Sequence, residues 1–219
     1  MIRYNLIIGL IIIAVIGFIY YTTTQKDVTV KESKIVLETS DSIVLETSDS
    51  IVLGANNAPV KIKIFSSLTC PHCANFHIEV VSKIKKNYVD SGKVQLIFID
   101  FPLDQMAFNA SKLLHCLDRE KQIKFLDTIY KNQKQWTNGV DLNEINNNLK
   151  KIVKNLGINS YQFDKCLHDE VVSDKILNDR IEAQKKYSIN STPTVIINEK
   201  KLEGSGSFNN IKKKIEKLI

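Results

Sequence analysis

The sequence predicts an α/β fold in which an all-helical block is inserted between two parts of one sheet, and three observations carry that reading. Val60, Ile62 and Ile64 alternate with Lys61 and Lys63, the period of a strand. They lead through Cys70-Pro71-His72-Cys73 into Phe76, Val80, Ile84 and Tyr88, which recur every fourth residue on one face of a helix. Val94-Gln95-Leu96-Ile97-Phe98-Ile99 is a dense apolar run of the kind found in buried strands. From about Met106 to Tyr187 the pattern is wholly helical, and only then does a strand pattern return, at Thr194-Val195-Ile196-Ile197.

In chain order, Arg3 precedes an uncharged apolar run, Leu6 to Tyr21. Residues 1–21 read as a secretory signal peptide or an N-terminal membrane anchor: the run exceeds most signal cores, falls short of the about 20 residues of a full span, and exits without an Ala-x-Ala site. Either way the positive end stays inside and the remainder is exported. Residues 22–50 form a polar linker in which Ile35-Val-Leu-Glu-Thr-Ser-Asp-Ser42 is copied as Ile43 to Ser50, and Ile51-Val52-Leu53 starts a third copy. Two full copies are too few for a solenoid, so the repeat reads as a duplicated spacer, with a small dimerising sheet as the other reading.

The main domain occupies 51–219. Pro59 stands where the strand at Val60 can begin, Asp90-Ser91-Gly92 forms a turn, and the run at Val94 pairs in parallel with the first strand through a helical crossover. Phe101-Pro102-Leu103 ends that strand. In the inserted helices, about 104–187, Met106, Ala110, Leu113, Leu114 and Leu117 share one face, as do Leu126, Ile129 and Tyr130. Asp141 to Glu144 has the form of a capping box, and Gly157 ends the helix that follows. Asn198-Glu199-Lys200 is expected as a turn, Lys201-Leu202-Glu203 as a short strand, and Phe208 to Ile219 as a closing helix with Ile211, Ile215 and Leu218 inward.

The Cys-x-x-Cys falls where a strand hands over to a helix. Cys70 lies at the helix N-terminus and Pro71 in its first turn, where a missing N–H costs little. Unpaired N–H groups and the positive end of the helix dipole favour a thiolate there, and the His72 imidazole adds a donor or a charge. Cys70 is therefore expected to be the acidic nucleophile of a reactive Cys70–Cys73 disulfide. A structural zinc site needs a second closely spaced ligand pair, whereas Cys116 and Cys166 stand alone. Haem attachment needs His directly after the second cysteine, and residue 74 is Ala.

Cys116 and Cys166 fall on helices with His115 and His168 beside them. Two Cys and two His can make a zinc site, but adjacent His115 and Cys116 point in different directions on a helix. A Cys116–Cys166 bridge is simpler, closing a loop of about 50 residues and stabilising by about 4 kcal/mol in the entropy model; two unpaired core thiols are the alternative. Four cysteines fit two bridges in an oxidising compartment.

Gly54-Ala-Asn-Asn-Ala-Pro59-Val60, the strand after it, Cys70-Pro71-His72-Cys73 and Ser191-Thr192-Pro193-Thr194, in that order, resemble the DsbA-like thiol:disulfide oxidoreductases of the thioredoxin superfamily. The likeness runs from about Ile51 to the C-terminus, with two departures: Ser191, where many relatives have Gly, and Ser66-Ser67, where relatives often have an acid. The resemblance implies a thioredoxin-like fold with an inserted all-helical domain, a redox-active Cys70–Cys73 disulfide, and a cis bond between Thr192 and Pro193 in a loop that lies against it and holds substrate, the plain alternative for Pro193 being an ordinary trans proline that starts an edge strand. It also implies no bound cofactor or metal, reduced exported proteins as substrates in the periplasm, and a DsbB-like membrane protein that reoxidises the pair. Some relatives carry a second, non-catalytic disulfide in the helical domain. A reductase or isomerase remains open within this class, and a metal-binding chaperone using Cys70, Cys73 and His77 is the reading from another.

The formal net charge is +6, which invites nucleic acid as a partner. Nearly all of the positive charge is Lys, spread among Glu and Asp, with Arg only at positions 3, 119 and 180, so a solvated face is the better reading. Membrane contact is expected only through the N-terminal segment.

Overall fold

In the computed structural model of the chain the described residues are 50–219, which belong to one compact unit, Val44–Ile219. The apolar N-terminal run and both octapeptide copies, Ser50 excepted, lie outside the described residues. The elements are β1 (Ile51–Leu53), β2 (Val60–Ser66), a continuous helix α1 over 71–89, β3 (Val94–Asp100), α2 (Gln105–His115), α3 (Arg119–Lys131), α4 (Gln133–Trp136), α5 (Leu142–Lys154), α6 (Ser160–Leu167), α7 (Glu170–Tyr187), β4 (Thr194–Ile197), β5 (Lys200–Lys201) and α8 (Phe208–Ile215). The sheet order is β1-β3-β2-β4-β5. β2 and β3 pair in parallel from Val60 opposite Val94 to Ser66 opposite Asp100, joined by the α1 crossover, and every other pair is antiparallel.

Both faces of the central strands are covered. Ile62, Ile64, Leu96 and Phe98 join the large core with α1 and the helical block. Phe65, Ile97, Ile99 and Ile196 meet Ala183, Tyr187 and Ile189 on the other side. The strand expected from the alternation is β2. Lys63 is 3 % exposed, because α7 covers the second face of the sheet. Its amine reaches Glu199 at 2.5 Å, its stem filling apolar space as long cationic side chains do. Burial works to raise the Glu199 carboxyl, but Lys63, Tyr187 and Lys186 outweigh it and pull the pKa down to about 2.

α1 explains its own sequence period. A strict every-fourth-residue spacing drifts about 40° per step on a helix of 3.6 residues per turn. After an α-helical Pro71–Phe76 the helix widens into π-helical turns at His77–Val81 and Lys85–Val89, with α-helical Ser82–Ile84 between. Such i→i+5 turns absorb the drift, so Phe76, Val80, Ile84 and Tyr88 are all buried.

β1 is the third Ile-Val-Leu triplet. Gly54, directly after it, has φ +112°, and a Cβ there would meet the Val94 carbonyl oxygen at 2.7 Å. The corresponding residues of the earlier copies are Glu38 and Glu46.

In the helical block Leu113, Phe125, Ile129, Trp136 and Leu149 are at most 1 % exposed, each contributing roughly 1.5–3 kcal/mol by burial. Asp141 caps α5 by accepting the Glu144 N–H, but the Glu144 carboxylate accepts from Val140 rather than from Asp141, so the expected reciprocal box is offset by one residue. Gly157, at φ +95°, follows the end of that helix. Two expectations at the C-terminus are corrected. Asn198 and Glu199 both have positive φ and make a two-residue turn, which moves the short strand back to Lys200–Lys201. Leu218 is 46 % exposed, because α8 ends at Ile215 and the residues beyond leave its inward face.

Candidate active site

β2 ends at Ser66, and the chain turns through 67–70 into α1. Cys70 is the N-cap, with extended φ/ψ of −73° and 119°, and Pro71 opens the helix. The Cys70 N–H donates to the Ser67 carbonyl at 3.2 Å, and its carbonyl accepts the Ala74 N–H at 3.1 Å. Cys70 is thereby fixed at the N-terminal end of the helix, where the first N–H groups have no partner within the helix.

The two thiols are free and chemically unequal. Burial pushes Cys70 up, but hydrogen bonds from the Thr192 side chain, the backbone and thiol of Cys73 and the backbone of His72 outweigh it, and its pKa is lowered from the ordinary value of 9.0. Cys73 is 1 % exposed, against 9 % for Cys70. Burial, aided by repulsion from Cys70, raises its pKa to about 12 despite help from Thr192 and the Ser67 backbone. His72 is exposed, and its backbone helps to lower the Cys70 pKa.

Thr192 and Pro193 are brought here because β4 pairs with β2, Phe65 opposite Thr194, which sets the loop before β4 beside the loop after β2. The Thr192–Pro193 bond is cis, and the Cys70 thiol donates to the Thr192 carbonyl at 3.4 Å. The Thr192 hydroxyl is buried without a fixed partner of its own.

Cys116 and Cys166 are joined in a disulfide, Cα to Cα 6.0 Å, which leaves neither sulfur as a thiolate to bind zinc. Their neighbours go elsewhere: His115 Nε2 pairs with Asp100 Oδ2 at 2.8 Å, and His168 Nδ1 with the Asp164 carbonyl at 2.7 Å. His77, the third residue of the chaperone reading, has its Nε2 on Asp127 Oδ1 at 2.7 Å and its ring against Tyr130. Among the described residues no group of three or more His, Cys, Asp or Glu converges as metal ligands.

Four polar groups around the site were not singled out in the sequence. The Gln133 amide donates to the Leu68 and Cys70 carbonyls. Asp104 both caps α2 and accepts from Thr69 at 2.6 Å. Tyr130, raised well above its usual pKa by burial and by Cys73, has a buried hydroxyl with no fixed partner. Asp100, opposite Ser66, accepts from Ser111 at 2.5 Å and pairs with His115. Only the last left a signal: an acid ending a strand that is otherwise apolar or amide.

An asymmetric dithiol capping a helix, faced by a cis-proline loop on a mixed sheet with a parallel centre, defines a thiol-active protein of thioredoxin fold. A family model described as thioredoxin matches residues 46–217. A Bacillus anthracis protein named "Probable disulfide bond formation protein D" is 31 % identical over 175 residues, covering 76 % of each chain. A Rickettsia bellii protein named "Putative protein-disulfide oxidoreductase" is 25 % identical over 171 residues, 76 % of this chain and 63 % of that one. The crystal structure of Wolbachia pipientis alpha-DsbA1 superposes with a TM-score of 0.74 at 31 % identity, covering 82 % of this chain and 96 % of that one. The chain belongs to the thioredoxin superfamily, in its DsbA-like family, and is a thiol:disulfide oxidoreductase.

Proposed function

We propose that this enzyme is an exported oxidant that introduces disulfide bonds into reduced proteins at Cys70-Pro71-His72-Cys73. The observation that carries the reading is the inequality of the two thiols, Cys70 lowered and Cys73 raised to about 12. A substrate thiolate attacks the Cys70 sulfur, the more accessible of the two; the Cys70–Cys73 bond breaks and Cys73 leaves with its electron pair and takes up a proton. A second substrate thiolate attacks the substrate sulfur of the mixed disulfide, and Cys70 departs as the stabilised thiolate. The substrate has lost two electrons and the cysteine pair has gained them. Attack by Cys73 on the mixed disulfide would reverse the first step, and a thiol with so high a pKa does this slowly, which favours donation.

The helix N-terminus and His72 stabilise the Cys70 thiolate. Thr192 and Pro193 receive the substrate, whose backbone adds as a strand beside that loop. Export to the periplasm is supported by the Leu6–Tyr21 run, cleaved or retained, and by a second disulfide in the chain. Reoxidation falls to a DsbB-like membrane protein.

The test is equilibration of wild type and His72→Ala with glutathione at fixed ratios. The expected wild-type potential lies above the about −220 to −260 mV of a cytosolic glutathione pool. His72→Ala is expected to be less oxidising, with a higher Cys70 pKa. A wild-type potential below that range makes the enzyme a reductase. An unchanged or more oxidising His72→Ala removes the imidazole from the mechanism.

A further inference from the structure

The loop that carries Cys70 is held from outside the sheet. Gln133, the first residue of α4 and 7 % exposed, donates from Nε2 to the Leu68 carbonyl at 2.8 Å and to the Cys70 carbonyl at 3.1 Å. Two carbonyl acceptors require the NH2 end of the amide at this place, so both of its protons are committed to the loop. Cys70 is then fixed at every backbone atom that can bond, its N–H on Ser67 and its carbonyl shared by Ala74 and Gln133. A second strut from the helical block lies nearby, where Asp104 accepts from Thr69 and the Leu103 N–H donates to Ser67 Oγ at 3.4 Å.

We propose that Gln133 is a positioning residue of the redox site: by holding the Leu68 and Cys70 carbonyls it keeps Cys70 at the N-cap of α1, and so sets how strongly the enzyme oxidises. The helical block thereby has a function at the active site besides supplying core. Loss of the amide takes the side-chain donor from the Leu68 carbonyl and leaves the Cys70 carbonyl to Ala74 alone, and the loop relieves this by turning, which moves the sulfur off the helix N-terminus. The disulfide form depends less on that placement, since its sulfur carries no charge. Losing Gln133 therefore destabilises the reduced form more than the oxidised one.

This inference rests on Cys70 being the stabilised thiolate, and the experiment separates the two. Gln133→Met keeps the shape without donors, Gln133→Glu replaces donors by acceptors, and Gln133→Asn keeps the amide on a shorter arm for use if the others fail to fold. For each, the Cys70 pKa is followed by thiolate absorbance, the equilibrium constant with glutathione is measured, and unfolding is recorded for oxidised and reduced protein. The expected result is a raised Cys70 pKa and a shift of about three- to tenfold toward the disulfide form, about 15–30 mV, larger for Gln133→Glu. Equal loss of stability in the two redox forms, with pKa and equilibrium unchanged, reduces Gln133 to a structural contact and overturns the proposal. A wild-type Cys70 pKa near 9 would instead overturn the role of Cys70, and the proposal with it.

Discussion

Cys70 and Thr192, 122 residues apart in sequence, meet at 3.4 Å between thiol and carbonyl oxygen, and the Thr192 side chain works to lower the pKa of both thiols. Alkylation of the reduced enzyme near pH 6 is expected to label Cys70 well before Cys73. Thr192→Val, which keeps the shape and removes the hydroxyl, is expected to slow that labelling several-fold. Equal labelling of the two cysteines in wild type would remove the assignment of nucleophile.

Because the Cys70 pKa is lowered on folding, the thiolate stabilises the reduced fold fully above pH 9, the ordinary thiol value, and that contribution is lost as pH falls through the lowered native value. The stability of the reduced form relative to the oxidised form is therefore expected to rise with pH below 9. Denaturant titrations of both forms from pH 4 to 9 check this, and a flat difference over that range would contradict it.

The Cys116–Cys166 disulfide closes a separation of 50 residues within the helical block. Replacing both by Ala is expected to cost about 4 kcal/mol or less and to lower Tm, while turnover on a reduced substrate stays nearly intact. An activity loss as deep as that of Cys70→Ser, in folded protein, would show that the bridge takes part in the chemistry.

Asp100 is buried, which raises its pKa, yet its bonds from His115 and Ser111 prevail and hold it below the ordinary carboxylate value. Its contribution to stability is present above about pH 4 and is lost as pH falls through the lowered native value. Asp100→Asn is expected to cost about 1–3 kcal/mol at pH 7, because it weakens the buried bonds with His115 and Ser111, and to flatten the acid limb of the stability curve. Urea midpoints measured from pH 2 to 7 decide between this and a merely polar contact.

Gly54→Glu makes the residue after the third Ile-Val-Leu triplet the same as in the first two. With φ +112° and the Val94 oxygen 2.7 Å from a Cβ, the change is expected to cost about 1–3 kcal/mol or more and to strip β1 of hydrogen-exchange protection. Deleting residues 43–50 should leave Tm unchanged, since Ser42 then stands where Ser50 stood and Gly54 keeps its place. A protected 51–53 segment in Gly54→Glu would show that the glycine is not what selects the triplet.

What the residues determined without help was whatever depends on near neighbours. Alternation at Val60 to Ile64, the apolar run from Val94, the helical faces of Ala110 to Leu117 and Leu126 to Tyr130, and the place of Cys70 before Pro71 at a helix start are all written within a few turns of chain. Strand and helix periods and the chemistry of a helix N-terminus act at that range. What the tertiary structure decided was whatever depends on which element covers which. Lys63 is buried because α7, more than a hundred residues later, closes over the second face of the sheet. Gln133 holds Cys70 because α4 abuts the loop after β2, and nothing about a glutamine between Asn132 and Lys134 announces it. Asp100 finds His115 and Ser111 because α2 folds back over the end of β3. A buried polar group is tolerated only where a partner from elsewhere in the chain completes it, so its meaning exists only after the chain has folded.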